Sequence, residues 1–335
     1  SNHLIMFLRS PKKLNRLLLG GTLILSAVLL SVGEIPFAWQ LGIFVLLMVL
    51  TGIPHGAVDH VVYQYVENSV KSDRSEESRI LDNTLESKAR IKKAQLGRFF
   101  LVYMGIIAAY SVLWLLLPKF CLAVFLLMSF YHFGQSQLYY LEMSEKNILK
   151  VTLYLCWGAL IIGGIVFFNY EASAEVLEGI IALPQLLSRD SALDLLILLS
   201  VFTLTGLIFA YFRKSLSVAQ LFFELGSVGL LLGLFYLAPL LIAFSIYFGL
   251  WHSLKAIQAE LRHFGKSQQS LGWFYRQAWP FSLLSFVGIG ILILAASQLE
   301  AYISPYMLFF IAISVLTMPH MYYMQKLYQR PERAS

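Results

Sequence analysis

Ten stretches of this 335-residue chain are each long and apolar enough to cross a bilayer, and they leave room for little else. A spanning helix needs about 20 mainly apolar residues, because its backbone N–H and C=O groups must pair within the segment once water is gone. On that criterion the spans fall near 15–33, 37–63, 98–117, 119–140, 149–169, 193–212, 216–237, 239–260, 278–297 and 304–326. Composition agrees. Only 13% of residues are charged, about half the share of a soluble domain. The expected fold is an all-α integral membrane protein, one multi-pass domain over 1–335 with about ten transmembrane helices in a bundle. The first apolar run follows the basic stretch RSPKKLNR, as a signal peptide does, but the spans behind it make it a first transmembrane helix.

The placement of basic residues tests this count, because a missed span would scramble it. With the N-terminus in the cytoplasm, every Lys and Arg except Lys119 and Arg189 falls on the cytoplasmic side. Both termini are therefore expected inside, in the cytoplasmic membrane of a cell. The net charge of +6 is spread over short segments between apolar runs, so it reads as topology, and no nucleic-acid partner is expected. Residues 67–97 form the one long polar insert, on the cytoplasmic side. Residues 170–191 alternate acidic and apolar side chains, as an outside segment lying along the membrane interface does. Cys121 and Cys156 are too few for a disulfide framework and read as small core residues.

Five of the seven histidines lie inside spans, where an ionisable group costs several kcal/mol unless it is partnered. His55 and His60 are in the second span, His132 in the fourth, His252 in the eighth and His320 in the tenth. These four helices all run from outside to inside. His55, His132, His252 and His320 precede their inner ends by about 6–8 residues, or about 9–12 Å at 1.5 Å per residue. Four imidazoles in one layer on four helices are how a bundle builds a metal site. Asp59, four residues after His55, can share its helix face, and Glu224 in the seventh span matches the layer in depth. Both are candidates to orient a ligand histidine. His60 is rotated by about 140° from His55 on a regular helix and faces elsewhere unless Pro54 and Gly56 distort the turn. His3 and His263 read as solvated side chains.

Nitrogen ligation without cysteine argues against iron–sulfur and structural zinc sites, and leaves non-haem iron, copper, catalytic zinc or bis-histidine haem. A pocket at this depth opens to the bilayer, so its natural client is an apolar molecule dissolved in membrane lipid. Phe130, Tyr131, Phe133, Tyr247, Phe248, Trp251, Tyr322 and Tyr323 stand near the histidines in sequence, as the walls of a slot for a long flat molecule.

The motifs GIPHGAVDH (52–60), YHFGQ (131–135), FELGSVGLLLGLFYLAPLLIAFSIYFGLWHS (223–253) and TMPHM (317–321) resemble, in order and spacing, those of the Brp/Blh family. That family comprises membrane-embedded β-carotene dioxygenases of bacteria and archaea. The resemblance implies Fe(II)-dependent cleavage of the central double bond of β-carotene with O2 as co-substrate, giving two molecules of retinal, commonly for microbial rhodopsins. By position, His55, His132 and His252 match the family's iron-ligand histidines and are the implied catalytic centre. His320 matches the PHM histidine, and Asp59 and Glu224 match recurrent acidic positions. This chain departs at Ala256, where the family often has a second histidine four residues after the first; the remaining ligand then falls to His320 or His60. Two other readings stay open at the level of sequence. Ala256 is compatible with a carotenoid- or retinal-binding protein of weakened catalysis, and a histidine layer also suits a metal or proton transporter, although no inverted repeat is visible.

Overall fold

A computed structural model describes residues 10–72, 85–264, 270–299 and 305–330; His3 and residues 73–84 of the polar insert lie outside them. The described residues are helical and contain no strand. In chain order the helices are α1 (Pro11–Ser31), α2 (Phe37–Leu47), α3 (Ile53–Gly56), α4 (Asp59–Ser72), α5 (Leu85–Leu116) and α6 (Pro118–Leu138). Next come α7 (Ile148–Phe168), α8 (Tyr170–Leu177), α9 (Leu183–Leu186), α10 (Arg189–Phe212) and α11 (Val218–Leu237). The last four are α12 (Leu240–Ser245), α13 (Ser253–His263), α14 (Leu271–Leu299) and α15 (Pro305–Tyr328). Two wider π-helical stretches join consecutive pieces, Met48–Gly52 between α2 and α3 and Ile246–His252 between α12 and α13.

A helix stands at each of the ten expected spans. Among the described residues, seven segments are long and apolar enough to cross a membrane: α1, Phe37–Ser69, Lys93–Leu116, α7, α10, α11 and Leu240–His263. This is the architecture of an all-α membrane protein. In α6 the last turns carry His132, Gln135, Ser136 and Gln137, polar residues that dilute the apolar run and face the protein interior instead of lipid.

Local chemistry sets the helix ends. The Asn147 side chain accepts a hydrogen bond from Leu149 N (2.9 Å) at the start of α7, and Ser188 from Ser191 N (3.2 Å) at the start of α10. Ser217 and Gln220 form a reciprocal capping box on α11; each such cap is worth about 1 kcal/mol. Lys214, at φ 58°, turns the chain between α10 and α11.

The outer faces carry large exposed apolar side chains, among them Leu23, Ile24, Leu30, Leu101, Leu115 and Phe202. In water each would be a liability, whereas hydrocarbon accepts them without cost, so helix association here depends on close packing and internal hydrogen bonds. The packed centre is α7, whose Leu153, Tyr154, Trp157, Leu160 and Ile161 are buried in the main core cluster. Residues 170–191, expected along the interface, fold into α8 and α9, joined where Tyr170 OH donates to Leu187 O. His263, expected to be solvated, is fully buried instead. Its Nδ1 lies 2.7 Å from Ala259 O and its Nε2 3.1 Å from Arg330 O, so it ties the end of α13 to the chain just beyond α15. The Cys121 and Cys156 thiols are free.

Candidate metal centre

The second span is not one regular helix. It widens into the π-turns Met48–Gly52, resumes as the single turn α3, and breaks at Ala57–Val58 before α4 begins at Asp59. Pro54 has no N–H to offer the preceding turn, and the Leu50 carbonyl accepts a hydrogen bond from Tyr275 OH (2.7 Å) instead. The other π-stretch, Ile246–His252, packs against it. The two backbones approach so closely that a Cβ on Gly249 would stand 2.8 Å from Leu47 Cβ. The Thr51 hydroxyl fastens the crossing, 2.9 Å from Leu47 O and 2.6 Å from Gly249 O.

These irregular turns deliver His55 and His252 to one point, where His132 from α6 and His320 from α15 meet them. Ring centroids are 5.2 Å apart for His55 and His252, 5.0 Å for His252 and His132, 5.5 Å for His132 and His320, and 4.8 Å for His320 and His55. The four imidazoles thus close a ring, all buried. Ligand nitrogens of His55, His252 and His320 lie within 4.8 Å of one another, as a group able to hold a metal ion.

The hydrogen bonds around the ring leave nitrogens for a ligand. His55 Nδ1 lies 3.3 Å from Thr51 O, and His320 Nδ1 lies 2.8 Å from Asp59 Oδ1, so in each case Nδ1 faces an acceptor and Nε2 is the nitrogen left to face a ligand. His320 Nε2, His252 Nδ1 and both nitrogens of His132 are buried without a hydrogen-bond partner. A polar atom stranded in this way costs about 1–3 kcal/mol. Several such atoms around one point fit a site completed by a metal, and an all-imidazole donor set suits iron, copper or zinc.

Asp59 and Glu224 are placed differently from expectation. Asp59 orients His320, not His55, because the break at Ala57–Val58 takes it off the His55 face; its Oδ2 accepts from Tyr103 OH (3.1 Å). Glu224 is fully buried but touches none of the four histidines. Its Oε2 accepts from Gln137 Nε2 (2.9 Å) and its Oε1 from Tyr140 OH (2.5 Å), while Gln137 Oε1 accepts from Lys255 Nζ (2.8 Å). Its partners Gln137 and Tyr140 stand beyond His132 toward the end of α6 and Lys255 stands beyond His252, so it lies past the histidine layer and acts at one remove by tying together α6, α11 and α13. The His60 ring lies 4.5 Å from that of Phe281, tilted by 45°, and His60 is not in the group of histidines whose nitrogens converge. Ala256 is buried in an apolar cluster with Met324 and Val62, so His320 stands as the fourth imidazole. Thr51, Tyr103 and Tyr275 escaped the sequence reading. Of these only Tyr275 had a signal, the acceptor that Pro54 leaves behind.

The aromatics divide. Phe133 lies 4.7 Å from His252, and Phe248 lies 5.8 Å from His55 and 5.6 Å from His252. Phe248 in turn stacks on Phe244 at 5.4 Å, and Tyr247 meets Phe133 at 5.4 Å. These rings wall one side of the cluster. Trp251 instead faces α1, donating to Thr22 Oγ1 (2.8 Å), and Tyr323 stacks on Tyr103 at 6.2 Å.

The sequence pattern of the beta-carotene 15,15'-dioxygenase family (BCD) matches residues 46–328, which include all four histidines, Asp59 and Glu224. The chain belongs to this family. A beta-carotene 15,15'-dioxygenase of the uncultured marine bacterium 66A03 is 24% identical over 279 residues, spanning 82% of this chain and 89% of that protein. No solved structure matches the chain. Within the family range fall both π-stretches and every helix that carries a histidine of the cluster; only α1 and most of α2 precede it.

Proposed function

We propose that this member of the dioxygenase family cleaves the central double bond of β-carotene with O2 to give two molecules of retinal, using Fe(II) held by His55, His132, His252 and His320. The observation that carries the reading is the closed ring of four buried imidazoles with unpartnered nitrogens, in a chain of this family. A bound ferrous ion would supply the electrons for O2 chemistry that no side chain in the site can offer. The protein's own residues do the rest. Asp59 and the Thr51 carbonyl hold the His320 and His55 rings through Nδ1, and such partners raise ligand basicity and fix the tautomer. Phe133, Phe244 and Phe248 present ring faces to a polyene and keep water from the bond being cut. No acid or base catalyst is required, because scission of a C=C bond by O2 to two aldehydes consumes no net protons.

The same proposal places ten spans across the cytoplasmic membrane, both termini and residues 67–97 in the cytoplasm, and residues 170–191 outside. Substrate then arrives laterally through membrane lipid, and retinal leaves by the same phase, suited to capture by a retinal-binding rhodopsin. Expression of His132→Ala in β-carotene-making cells, with retinal quantified and metal measured in the purified protein, is the test. Retinal formation is expected to vanish and metal content to fall; unimpaired retinal output sinks the proposal.

A further inference from the structure

A cavity opens at the end of the bundle where the α6–α7 connection (139–147) meets the α10–α11 connection (213–217). Its volume of about 440 Å³ falls in the range of about 300–1,000 Å³ typical of small-ligand sites. Glu142, Asn147, Arg213 and Ser215 supply its polar lining, and Leu149 and Phe209 its apolar lining. Both connections are fixed in shape. Lys150 is buried in the first turn of α7, and its Nζ donates to Leu141 O (3.1 Å), Met143 O (3.1 Å) and Glu145 Oε1 (2.5 Å), which folds the first connection against the helix. The second turns at Lys214 and closes with Ser215 N donating to Ala210 O (3.0 Å). Glu142 N donates to Ser215 O (3.4 Å) and so joins the two.

The charges of this cavity do not cancel one another. The Arg213 guanidinium and the Glu142 carboxylate line one space, yet they form no ion pair with each other or with any other described residue. Asn147 Oδ1 is taken by Leu149 N (2.9 Å), while its NH2 group has no partner among the described residues. Opposite charges that share a cavity without meeting suit a ligand that carries both signs, since each then finds a counter-charge. The setting narrows the ligand further. The cavity lies between the ends of α7 and α10, both long and apolar enough to cross a membrane. Ile148 and Phe212, beside its lining in sequence, are exposed. A water-soluble ligand gains nothing from these apolar surfaces, whereas a lipid with its headgroup in the cavity does.

We propose that this cavity binds a phospholipid whose headgroup carries a free ammonium, of the phosphatidylethanolamine class, with the phosphate on Arg213 and Asn147, the ammonium on Glu142 and the acyl chains against Leu149 and Phe209. A primary ammonium has three N–H groups to donate to a carboxylate, and a choline headgroup has none. A lipid with a net negative charge leaves Glu142 facing a like charge. The bound lipid braces the connection that ends α6, the helix that carries His132. None of this depends on what the histidines hold.

The test uses the full-length protein, stripped of lipid in detergent micelles. It is mixed with phosphatidylethanolamine, phosphatidylcholine or phosphatidylglycerol of identical acyl chains, and bound lipid per chain is counted by native mass spectrometry. The wild-type protein is expected to bind one phosphatidylethanolamine about ten-fold more tightly than either other lipid. Arg213→Gln weakens that binding about ten-fold, and Glu142→Gln brings it level with phosphatidylcholine. Both side chains are exposed, so neither change removes a core contact. Equal binding of the three lipids by the wild-type protein, or phosphatidylethanolamine binding unchanged in both variants, overturns the proposal. Tighter binding of phosphatidylglycerol overturns it in favour of an anionic-lipid site. Displacement of the lipid by an equal concentration of soluble O-phosphoethanolamine overturns a lipid as the occupant.

Discussion

Replacing Gly134 with alanine tests how firmly the centre is held by the helices beneath it. Gly134 follows His132 by two residues, where α6 crosses α7. A Cβ there would stand 1.9 Å from Tyr154 O, and one on Gly158 would stand 1.9 Å from Phe130 O. Ordinary contact begins near 3.4 Å, so alanine at 134 must drive the two helices about 1.5 Å apart. The obstacle is main chain, which cannot rotate away as a side chain can. Overpacking of a core costs about 1–3 kcal/mol, and a backbone obstacle puts this case near 3 kcal/mol. The displacement also reaches the site, because His132 rides on α6 with its ring 5.0 Å from His252 and 5.5 Å from His320. A misplacement of about 1 Å is enough for a loss of roughly 100-fold in rate. The assay pairs denaturant unfolding in detergent with retinal yield per folded protein in β-carotene-making cells. Gly226→Ala serves as control, since its Cβ would meet only Leu19 Cδ2 at 3.9 Å. The expected result is a large loss of both stability and retinal for Gly134→Ala and neither for Gly226→Ala. A Gly134→Ala protein with wild-type stability and retinal yield would refute this account of the α6–α7 crossing.

Three further outcomes are expected. Asp59→Asn removes the charge that orients His320 through Nδ1, so metal affinity should fall about 10- to 100-fold in competition with a chelator; unchanged affinity would show that Asp59 does not brace a ligand. His60→Ala should leave metal content and retinal yield at wild-type levels, because its ring packs on Phe281 outside the cluster; loss of bound metal would put His60 back among the ligands. Thr51→Val keeps the shape but deletes the hydroxyl that spans Leu47 O and Gly249 O. It should lower stability by about 1–2 kcal/mol and reduce metal occupancy, read by unfolding and metal analysis, and a variant equal to wild type in both would mean that the two π-stretches hold without this bond.

Much of the fold and part of the site were legible in advance because membrane insertion imposes a one-dimensional rule. A helical chain crosses hydrocarbon only as long apolar segments, so their positions follow from counting residues. Depth alone grouped His55, His132, His252 and His320, and these four meet. The same counting misplaced Asp59 and Glu224. Regular helix geometry pairs Asp59 with His55, which the break at Ala57–Val58 abolishes, and Glu224 bonds Gln137 and Tyr140, beyond His132 along the chain, instead of a histidine. His263 looked solvated because it follows a charged run, yet contacts with Ala259 O and Arg330 O bury it.

The sequence by itself determined which segments are helices, which four histidines belong to one layer and, through its motifs, which family the chain belongs to, because these depend on residue order and apolar length alone. Only the tertiary structure decided which faces meet. The π-turns at Met48–Gly52 and Ile246–His252 shift the facing of everything beyond them by a fraction of a turn, and their stability comes from Thr51, Gly249 and Tyr275, contacts between segments some 200 residues apart in sequence. Rotation about a helix axis is settled by packing, and no count along the chain can supply it.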